Sequence, residues 1–310
     1  MVPEAVRTIL GHYDGERPGV KANLARMLMH GRPGGSGRLV ILPVDQGIEH
    51  GPARSFADNP AAYDPHYLFE LAIDAKLSAL AAPLGLLAAG ADRYAGAVPL
   101  ILKANSGSSL DSDQNQAVTA TVRDALDLGC CAVGHTLYPG SSHQHTMTEA
   151  VRDGIAEARS AGLASVVWAY PRGSDLAPED ENALDVVASA AQIAVQLGAH
   201  VVKVKLPTER IAREENKSAY ASIDTDFRSA AARVRHIMQA AFAGRRIVVF
   251  SGGPAKDANA LFAEARAIRE GGGHGSIVGR NSFQRPREAA MEMLAHLTAM
   301  YHSEPEVVGR

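Results

Sequence analysis

Short apolar runs alternate with amphipathic stretches along most of the chain. Eight of these runs are rich in Val, Ile, Leu or Ala and end near Gly, Pro or polar residues, which predicts buried strands. They are Leu39–Val44, Leu77–Pro83, Val98–Asn105, Cys130–Val133, Ala164–Tyr170, Val201–Leu206, Arg245–Phe250 and Gly275–Val278. Helical spacing between the runs predicts helices at Pro65–Ala75, Asn115–Leu128, Thr148–Ala161, Glu179–Leu197, Thr225–Phe242 and Asp257–Glu270, and from about Pro286.

This alternation of strands and helices predicts an α/β fold with a parallel sheet built from right-handed βαβ units. Eight repeats favour closure of the sheet into a TIM (β/α)8 barrel. A doubly wound open sheet stays possible, because periodicity does not report closure. No Gly-x-Gly-x-x-Gly motif follows the first run, which disfavours a nucleotide-binding open sheet.

Residues 1–38 precede the predicted barrel and form an N-terminal helical extension. Pro3–His12 and Val20–His30 have helical spacing, and the second ends at the breaker cluster Gly31–Gly37. We therefore divide the chain into this extension and a catalytic barrel at residues 39–310. The apolar stripes of the extension either cap the amino-terminal end of the barrel or pack against another subunit.

The sixth strand carries two lysines in an otherwise apolar run. Side chains alternate across a strand, so Lys203 and Lys205 share one face. A strand covered by helices is expected to be apolar on both faces, and an unpaired ammonium there is costly. Burial favours the neutral amine, which is a nucleophile towards carbonyl carbons. One snorkelling and one ion-paired lysine is the alternative interpretation.

Further polar residues follow the carboxyl ends of the predicted strands, the face on which barrel active sites are built. The candidates are Asp45, His50, Lys103, Asn105, His135, Trp168, Tyr170, Arg172, Ser251, Gly252, Gly253, Gly279 and Arg280. Asp45 is in phase with Ile41 and is either a catalytic carboxylate or a helix N-cap. Tyr170 is either a general acid–base or an amphipathic residue at the barrel end.

The loops after the seventh and eighth strands predict a phosphate site. Ser251-Gly252-Gly253 and Gly279-Arg280 each begin a strand-to-helix loop in which glycine allows backbone N–H groups to face an anion. Arg280 would add a charge-assisted, bidentate partner. The alternative is a pair of tight turns beside a surface arginine.

Composition narrows the class of protein. The net charge of −3 gives no electrostatic footprint for nucleic acid or an anionic membrane. The adjacent Cys130 and Cys131 fit a reducing compartment, and no apolar run approaches the ~18 residues of a membrane helix. The sequence thus predicts a cytoplasmic protein. His135, His143 and His145 lack a Cys or carboxylate at ligand spacing, so no metal and no cofactor is predicted.

Five motifs in this order resemble the archaeal-type class I fructose-bisphosphate aldolases, and Lys203–Thr208 is similar to their bacterial branch. The motifs are Asp45–Pro52, Trp168–Gly173, Lys203–Thr208, Ser251–Gly253 and Gly279–Pro286. The resemblance runs from about residue 39 to the end and does not include residues 1–38. Gln46 stands where relatives often have His.

The resemblance implies a metal-free barrel that cleaves fructose 1,6-bisphosphate into dihydroxyacetone phosphate and glyceraldehyde 3-phosphate. It implies that Lys203 forms a Schiff base, Tyr170 transfers protons, Asp45 lies beside the imine and Trp168 shapes the site. It also implies that Ser251–Gly253, Gly279 and Arg280 hold a phosphate, with His50, Arg172 and Lys205 as further substrate-binding candidates. Because relatives commonly form rings, a homo-oligomer with residues 1–38 near an interface is expected.

Two other functions stay open on the sequence. One is a related lysine-dependent aldolase, transferase or thiolase that acts on another phosphorylated sugar or a diketone. The other is a non-catalytic barrel that binds sugar phosphates and whose lysines only neutralise the phosphate charge.

Overall fold

Eight parallel strands close into a barrel, as the sequence predicted. The structure, a computed structural model, describes residues 1–111, 113–174, 176–251 and 257–302. The strands are β1 (Leu39–Pro43), β2 (Ala79–Pro83), β3 (Leu100–Lys103), β4 (Ala132–Leu137), β5 (Ala164–Ala169), β6 (Val201–Lys205), β7 (Ile247–Ser251) and β8 (Gly275–Ile277). Each pairs with its neighbours in chain order, and β8 pairs with β1.

The helices surround the barrel and also precede it. They are α1 (Glu4–Gly11), α2 (Pro18–Leu28), α3 (Gln46–His50), α4 (Pro52–Phe56), α5 (Pro65–Asp74), α6 (Leu84–Ala88), α7 (Val122–Asp127), α8 (Gln144–Ser160), α9 (Leu184–Gln196), α10 (Glu214–Ala221), α11 (Ala230–Ala240), α12 (Ala258–Glu270), α13 (Arg280–Phe283) and α14 (Arg287–His302). Short 3-10 helices lie at Pro60–Tyr63 and Pro178–Asp180. Within the described ranges, no helix has the length and apolar character needed to cross a bilayer.

Several predicted elements differ from the observed ones. The helix predicted at Asn115–Leu128 begins only at Val122, because Thr121 and Asp124 form a reciprocal capping box there. The residues before it form a short antiparallel ladder in which Ala117–Val118 pair with Asn105–Ser106. The helix predicted from Glu179 begins at Leu184, and α10 lies between β6 and α11, where the sequence predicted no helix.

Strand β4 is longer than its apolar run and reaches Leu137. His135 therefore lies inside the strand instead of following it. Its ring packs so closely against α8 that a side chain at Gly154 would lie 2.5 Å from the imidazole. His135 faces the helical layer and not the active-site face, so its grouping with the polar residues of that face was wrong.

The barrel interior is a separate apolar core filled by inward-facing strand residues. Leu39, Ile41, Ile101, Val166, Val201, Ile247, Val249 and Ile277 belong to this core. Val6, Ile9, Tyr13, Val20, Leu24, Met27 and Leu28 from residues 1–38 belong to the same core. The N-terminal segment thus caps the barrel from within its own chain.

Tyr13 fixes this cap between two strands. Its hydroxyl donates to the His200 carbonyl at 2.5 Å and accepts from the Ile247 amide at 3.0 Å. These groups stand at the amino ends of β6 and β7, so one phenol joins both strand ends to the segment between α1 and α2. The apolar stripes of residues 1–38 are buried in this core of their own chain. The placement of this segment near a subunit interface stays a prediction.

Candidate active site

One pocket opens at the carboxyl end of the barrel and gathers side chains from β1 and from β5 to β8. Its polar and charged lining residues are Asp45, Gln46, Glu49, His50, Tyr170, Arg172, Lys203, Lys205, Ser251, Arg280 and Asn281, with Gly279 beside them. Parallel strands bring their carboxyl ends to one rim, which explains why residues so far apart in sequence meet.

Lys203 lies inside the pocket and is only 4 % exposed. Its Nζ lies 5.5 Å from the Trp168 ring centre and 5.2 Å from the Tyr170 ring centre. Burial lowers the pKa of Lys203 to about 8, an effect that the carboxylates of Asp45 and Glu49 oppose. Roughly a tenth of such a lysine is the neutral amine at pH 7, against fewer than one in 10³ for an ordinary lysine.

Lys205 has a different environment although it belongs to the same strand. It lies at the rim, where its Nζ is 3.4 Å from a carboxylate oxygen of Glu181. Burial lowers the pKa of Lys205, whereas Glu181 raises it. In the described part of the chain, no carboxylate oxygen lies within the 4.0 Å of an ion pair from Lys203 Nζ. The structure therefore separates a buried amine from a paired rim lysine, a choice that alternation along the strand left open.

Trp168 and Tyr170 come from the end of β5 and cover the lysine. Trp168 is fully buried, and its ring occupies the space that a side chain at Gly134 of β4 would need. The Tyr170 hydroxyl lies 3.2 Å from Ser251 Oγ at the end of β7. Burial raises the pKa of Tyr170, so the phenol keeps its proton at neutral pH.

Asp45 lies two residues beyond the end of β1 and is 5 % exposed. It occupies the N-cap position of α3, but its side chain makes no capping hydrogen bond. The carboxylate instead lines the pocket that holds Lys203 and Tyr170. Asp45 was interpreted as a catalytic carboxylate or as a helix N-cap. Its position in the pocket and its missing capping hydrogen bond favour the first interpretation.

Part of the predicted phosphate site can be described. Ser251, Gly279 and the half-buried Arg280 line the pocket on the side of β7 and β8, whereas Gly252 and Gly253 lie outside the described residues. A side chain at Gly279 would approach the Pro43 carbonyl oxygen to 2.8 Å. Glycine at this position thus lets the loop after β8 lie close to the end of β1.

A second pocket adjoins the first and shares Glu49, His50 and Arg172 with it. It is completed by the loop at residues 107–116 and by Tyr138. The Arg172 guanidinium lies 5.3 Å from the Tyr138 ring centre and 5.7 Å from that of Tyr170. His50 and Arg172 thus stand where the two pockets meet, which agrees with a role in binding an extended substrate.

Sequence reasoning gave no role to two charged residues of the site. Glu49 belongs to the motif Asp45–Pro52, but the direction of its side chain could not be derived because it lies beyond the strand. Lys103 was placed at the end of β3, and its Nζ is buried, hydrogen-bonded to the Asn105 carbonyl, and 5.8 Å from the Trp168 ring centre. The signal for Lys103 was the same as for Lys203: a lysine at the end of an apolar strand.

The histidines of the loop before α8 do not form a metal centre in the described chain. His143 Nε2 lies 3.3 Å from an Asp113 carboxylate oxygen, an ordinary exposed pair. No group of three or more His, Cys, Asp or Glu with suitable positions is found among the residues that the structure describes. Metal independence stays a prediction, and a chelator tests it below.

Comparisons with known proteins agree with this fold and site. Residues 39–285 match the DeoC/LacD family of aldolases. The chain is 34% identical over 297 residues to a probable class 1 fructose-bisphosphate aldolase of Chlamydia muridarum, covering 91% of this chain and 84% of that protein. It is 37% identical over 251 residues to the class 1 fructose-bisphosphate aldolase of Thermoproteus tenax, covering 80% and 84%.

A solved structure extends the likeness to three dimensions. An archaeal fructose-1,6-bisphosphate aldolase, described with its catalytic lysine covalently bound to a carbinolamine intermediate, superposes with a TM-score of 0.72. It is 32% identical, and the match covers 86% of this chain and 95% of that one. The match of residues 39–285 shows that the chain belongs to the DeoC/LacD aldolase family, and the names of its relatives identify it as a lyase. The resemblance drawn from its five motifs is confirmed.

Proposed function

We propose that the protein is a class I fructose-1,6-bisphosphate aldolase that works without metal, in glycolysis and gluconeogenesis. The observation that carries the proposal is the buried, pKa-lowered amine of Lys203 beneath Tyr170 and beside Asp45. The names of the relatives supply the substrate, and the cationic lining of the cleft suits a doubly phosphorylated sugar.

Lys203 starts the reaction in this proposal. Its neutral amine adds to the C2 carbonyl of the open-chain sugar and gives a carbinolamine, which loses water to become an iminium. The iminium accepts the electron pair of the C3–C4 bond as a base removes the proton of the C4 hydroxyl. Glyceraldehyde 3-phosphate leaves, the resulting enamine is protonated at C3, and water releases dihydroxyacetone phosphate from Lys203.

The other pocket residues support these steps. Tyr170 is the proton donor and acceptor beside the imine, and Asp45 is a carboxylate that stabilises the cationic nitrogen. Trp168 confines the lysine to one orientation. Ser251, Gly252, Gly253, Gly279 and Arg280 hold the phosphate of the dihydroxyacetone half, while His50, Arg172 and Lys205 contact the remainder. The free, buried thiols of Cys130 and Cys131 support a cytoplasmic location.

Trapping with borohydride tests the lysine. Incubation with dihydroxyacetone phosphate and sodium borohydride should add mass to the peptide that contains Lys203, because reduction makes the imine permanent. Lys203→Met should lose both the adduct and the turnover of fructose 1,6-bisphosphate. Lys205→Met is the matched control and should keep an adduct. An adduct located on Lys205 would overturn the assignment, and a wild type with no adduct would overturn the mechanism.

A chelator tests metal independence on the same enzyme. Turnover of fructose 1,6-bisphosphate should survive extended dialysis against EDTA, because Lys203 and not a Lewis acid stabilises the carbanion in this mechanism. Loss of turnover that added zinc restores would favour a metal-stabilised enediolate instead.

A further inference from the structure

Glu49 stands in the pocket without a role in the mechanism above. It belongs to α3, where its amide donates to the Asp45 carbonyl at 3.2 Å, so the two carboxylates lie one helical turn apart. Its own carbonyl accepts from the Ser109 amide at 2.9 Å, which ties α3 to the loop at residues 107–116. Its side chain lines both the Lys203 pocket and the adjoining pocket. Glu49 therefore spans the passage from the reacting centre to the outer cleft.

The charges around Glu49 come from every element that packs against it. The titratable and charged groups are Asp45 and His50 at α3, Lys103 at β3, Asp111 and Asp113 in the adjoining loop, Tyr138 after β4, Tyr170 and Arg172 after β5, Lys203 and Lys205 at β6 and Arg280 after β8. Burial and the Asp45 carboxylate raise the pKa of Glu49 to about 7, while Lys103, Lys203 and Arg172 oppose that rise. Glu49 exists in both protonation states at neutral pH.

Tyr170 does not share this property. Burial and the same two carboxylates raise the pKa of its phenol far from neutral pH. Such a phenol can relay a proton, but it does not remain deprotonated at neutral pH. The loss of water from a carbinolamine consumes one proton, so a group that ends the step ionised has to supply it.

We propose that Glu49 is the proton reservoir that supplies this proton, through Tyr170, to the Lys203 carbinolamine and recovers it when the iminium is hydrolysed. In the forward step the C2–O bond breaks, the nitrogen lone pair forms the second C–N bond, and the hydroxyl leaves as water. Tyr170 gives its proton to that hydroxyl and is reprotonated by Glu49. The net change converts carbinolamine and glutamic acid into iminium, water and glutamate, and hydrolysis of the iminium reverses it.

The proposal rests on the Schiff-base function and assigns the proton source within it. Asp45 provides the counter-charge of the iminium, and Glu49 carries the exchangeable proton. The two carboxyl groups, at the N-cap of α3 and one turn into that helix, thus have separate tasks.

Glu49→Gln keeps the size and the backbone contacts of the residue but removes the exchangeable proton. The test measures how fast wild type and variant form the borohydride-trapped adduct with dihydroxyacetone phosphate between pH 5 and 9. Wild type should show two ionisations, near pH 7 and near pH 8. Glu49→Gln should show only one and form the adduct about 10²-fold more slowly or worse, as expected for loss of a positioned acid–base.

Two further variants make the result specific. Tyr170→Phe should be slow at every pH, because the proton of Glu49 reaches the carbinolamine through the phenol. Glu149→Gln, at an exposed position on α8, should behave as wild type. Two ionisations in Glu49→Gln, or adduct formation at the wild-type rate, would overturn the proposal while leaving Lys203 as the Schiff-base residue. A wild type that forms no adduct would overturn the proposed function itself.

Discussion

At the scale of single residues, burial is the main cause of the shifted pKa values of Lys203 and Glu49 in this site. Lys203 and Glu49 carry opposite charges when ionised, and both become easier to hold neutral because the pocket removes them from water. Their mutual attraction opposes that effect, which leaves both pKa values near neutral pH instead of far beyond it. A nucleophilic amine and a titrating carboxyl can therefore coexist at physiological pH.

The raised pKa of Glu49 also predicts how stability depends on pH. A carboxyl whose pKa is about 7 when folded and 4.5 when unfolded binds its proton more tightly in the folded state. Its contribution is fully present below pH 4.5 and is lost as the pH rises through 7. Glu49→Gln should thus gain stability relative to wild type as the pH rises from 4 to 8. Urea unfolding at both pH values measures this, and a difference that stays constant would contradict the raised pKa.

At the scale of elements, the position of each strand end decides which residues can meet. Gly134 of β4 leaves room for the Trp168 ring of β5, since a Cβ there would lie 2.0 Å from that ring. The two strands pair with Gly134 opposite Val166, so the ring leans across its neighbour. Trp168 in turn limits where Lys203 can lie. A missing side chain on one strand thus positions a nucleophile two strands away.

Gly134→Ala should therefore disturb both stability and catalysis. The new methyl group overlaps the ring, and such overpacking of a core typically costs about 1–3 kcal/mol. Because Trp168 has to move, kcat should fall even where the variant is fully folded. Denaturant midpoints and kcat at a temperature well below unfolding measure the two effects separately. Ala132→Gly, also on β4 and facing the same interior, controls for loss of stability without displacement of the ring.

The sequence predicted the strands better than the loops, for physical reasons. Barrel strands are apolar because helices and the interior bury both faces, so they stand out as runs. The end of β4 was missed because His135, a polar residue, faces α8 there. The start of α7 could have been found, since Thr121 and Asp124 have capping-box spacing. The direction of Glu49 could not, because it depends on the angle at which α3 leaves β1.

At the scale of the whole molecule, the N-terminal segment completes the barrel. Periodicity revealed the apolar stripes of α1 and α2 but not what covers them. No sequence pattern indicates that the amino-terminal end of a barrel is open and needs a cap. The structure buries these stripes together with inward-facing residues of the strands. The apolar stripes of α1 and α2 therefore no longer support the proposal of a homo-oligomer. That proposal rests on the resemblance to a family whose members commonly form oligomers.

Two substitutions on α2 distinguish a cap from an interface in the full-length chain. Leu24 is fully buried beneath the barrel, whereas Ala22 is exposed on the same helix. Leu24→Ala should lower the free energy of unfolding by about 2–5 kcal/mol, as large-to-small changes in a core do, and leave the mass in light scattering unchanged. Ala22→Glu should change neither quantity. A fall in assembly mass on Ala22→Glu would place the outer face of α2 at a subunit interface. A fall in mass on Leu24→Ala, in a chain that stays folded, would show that the buried stripe serves assembly after all.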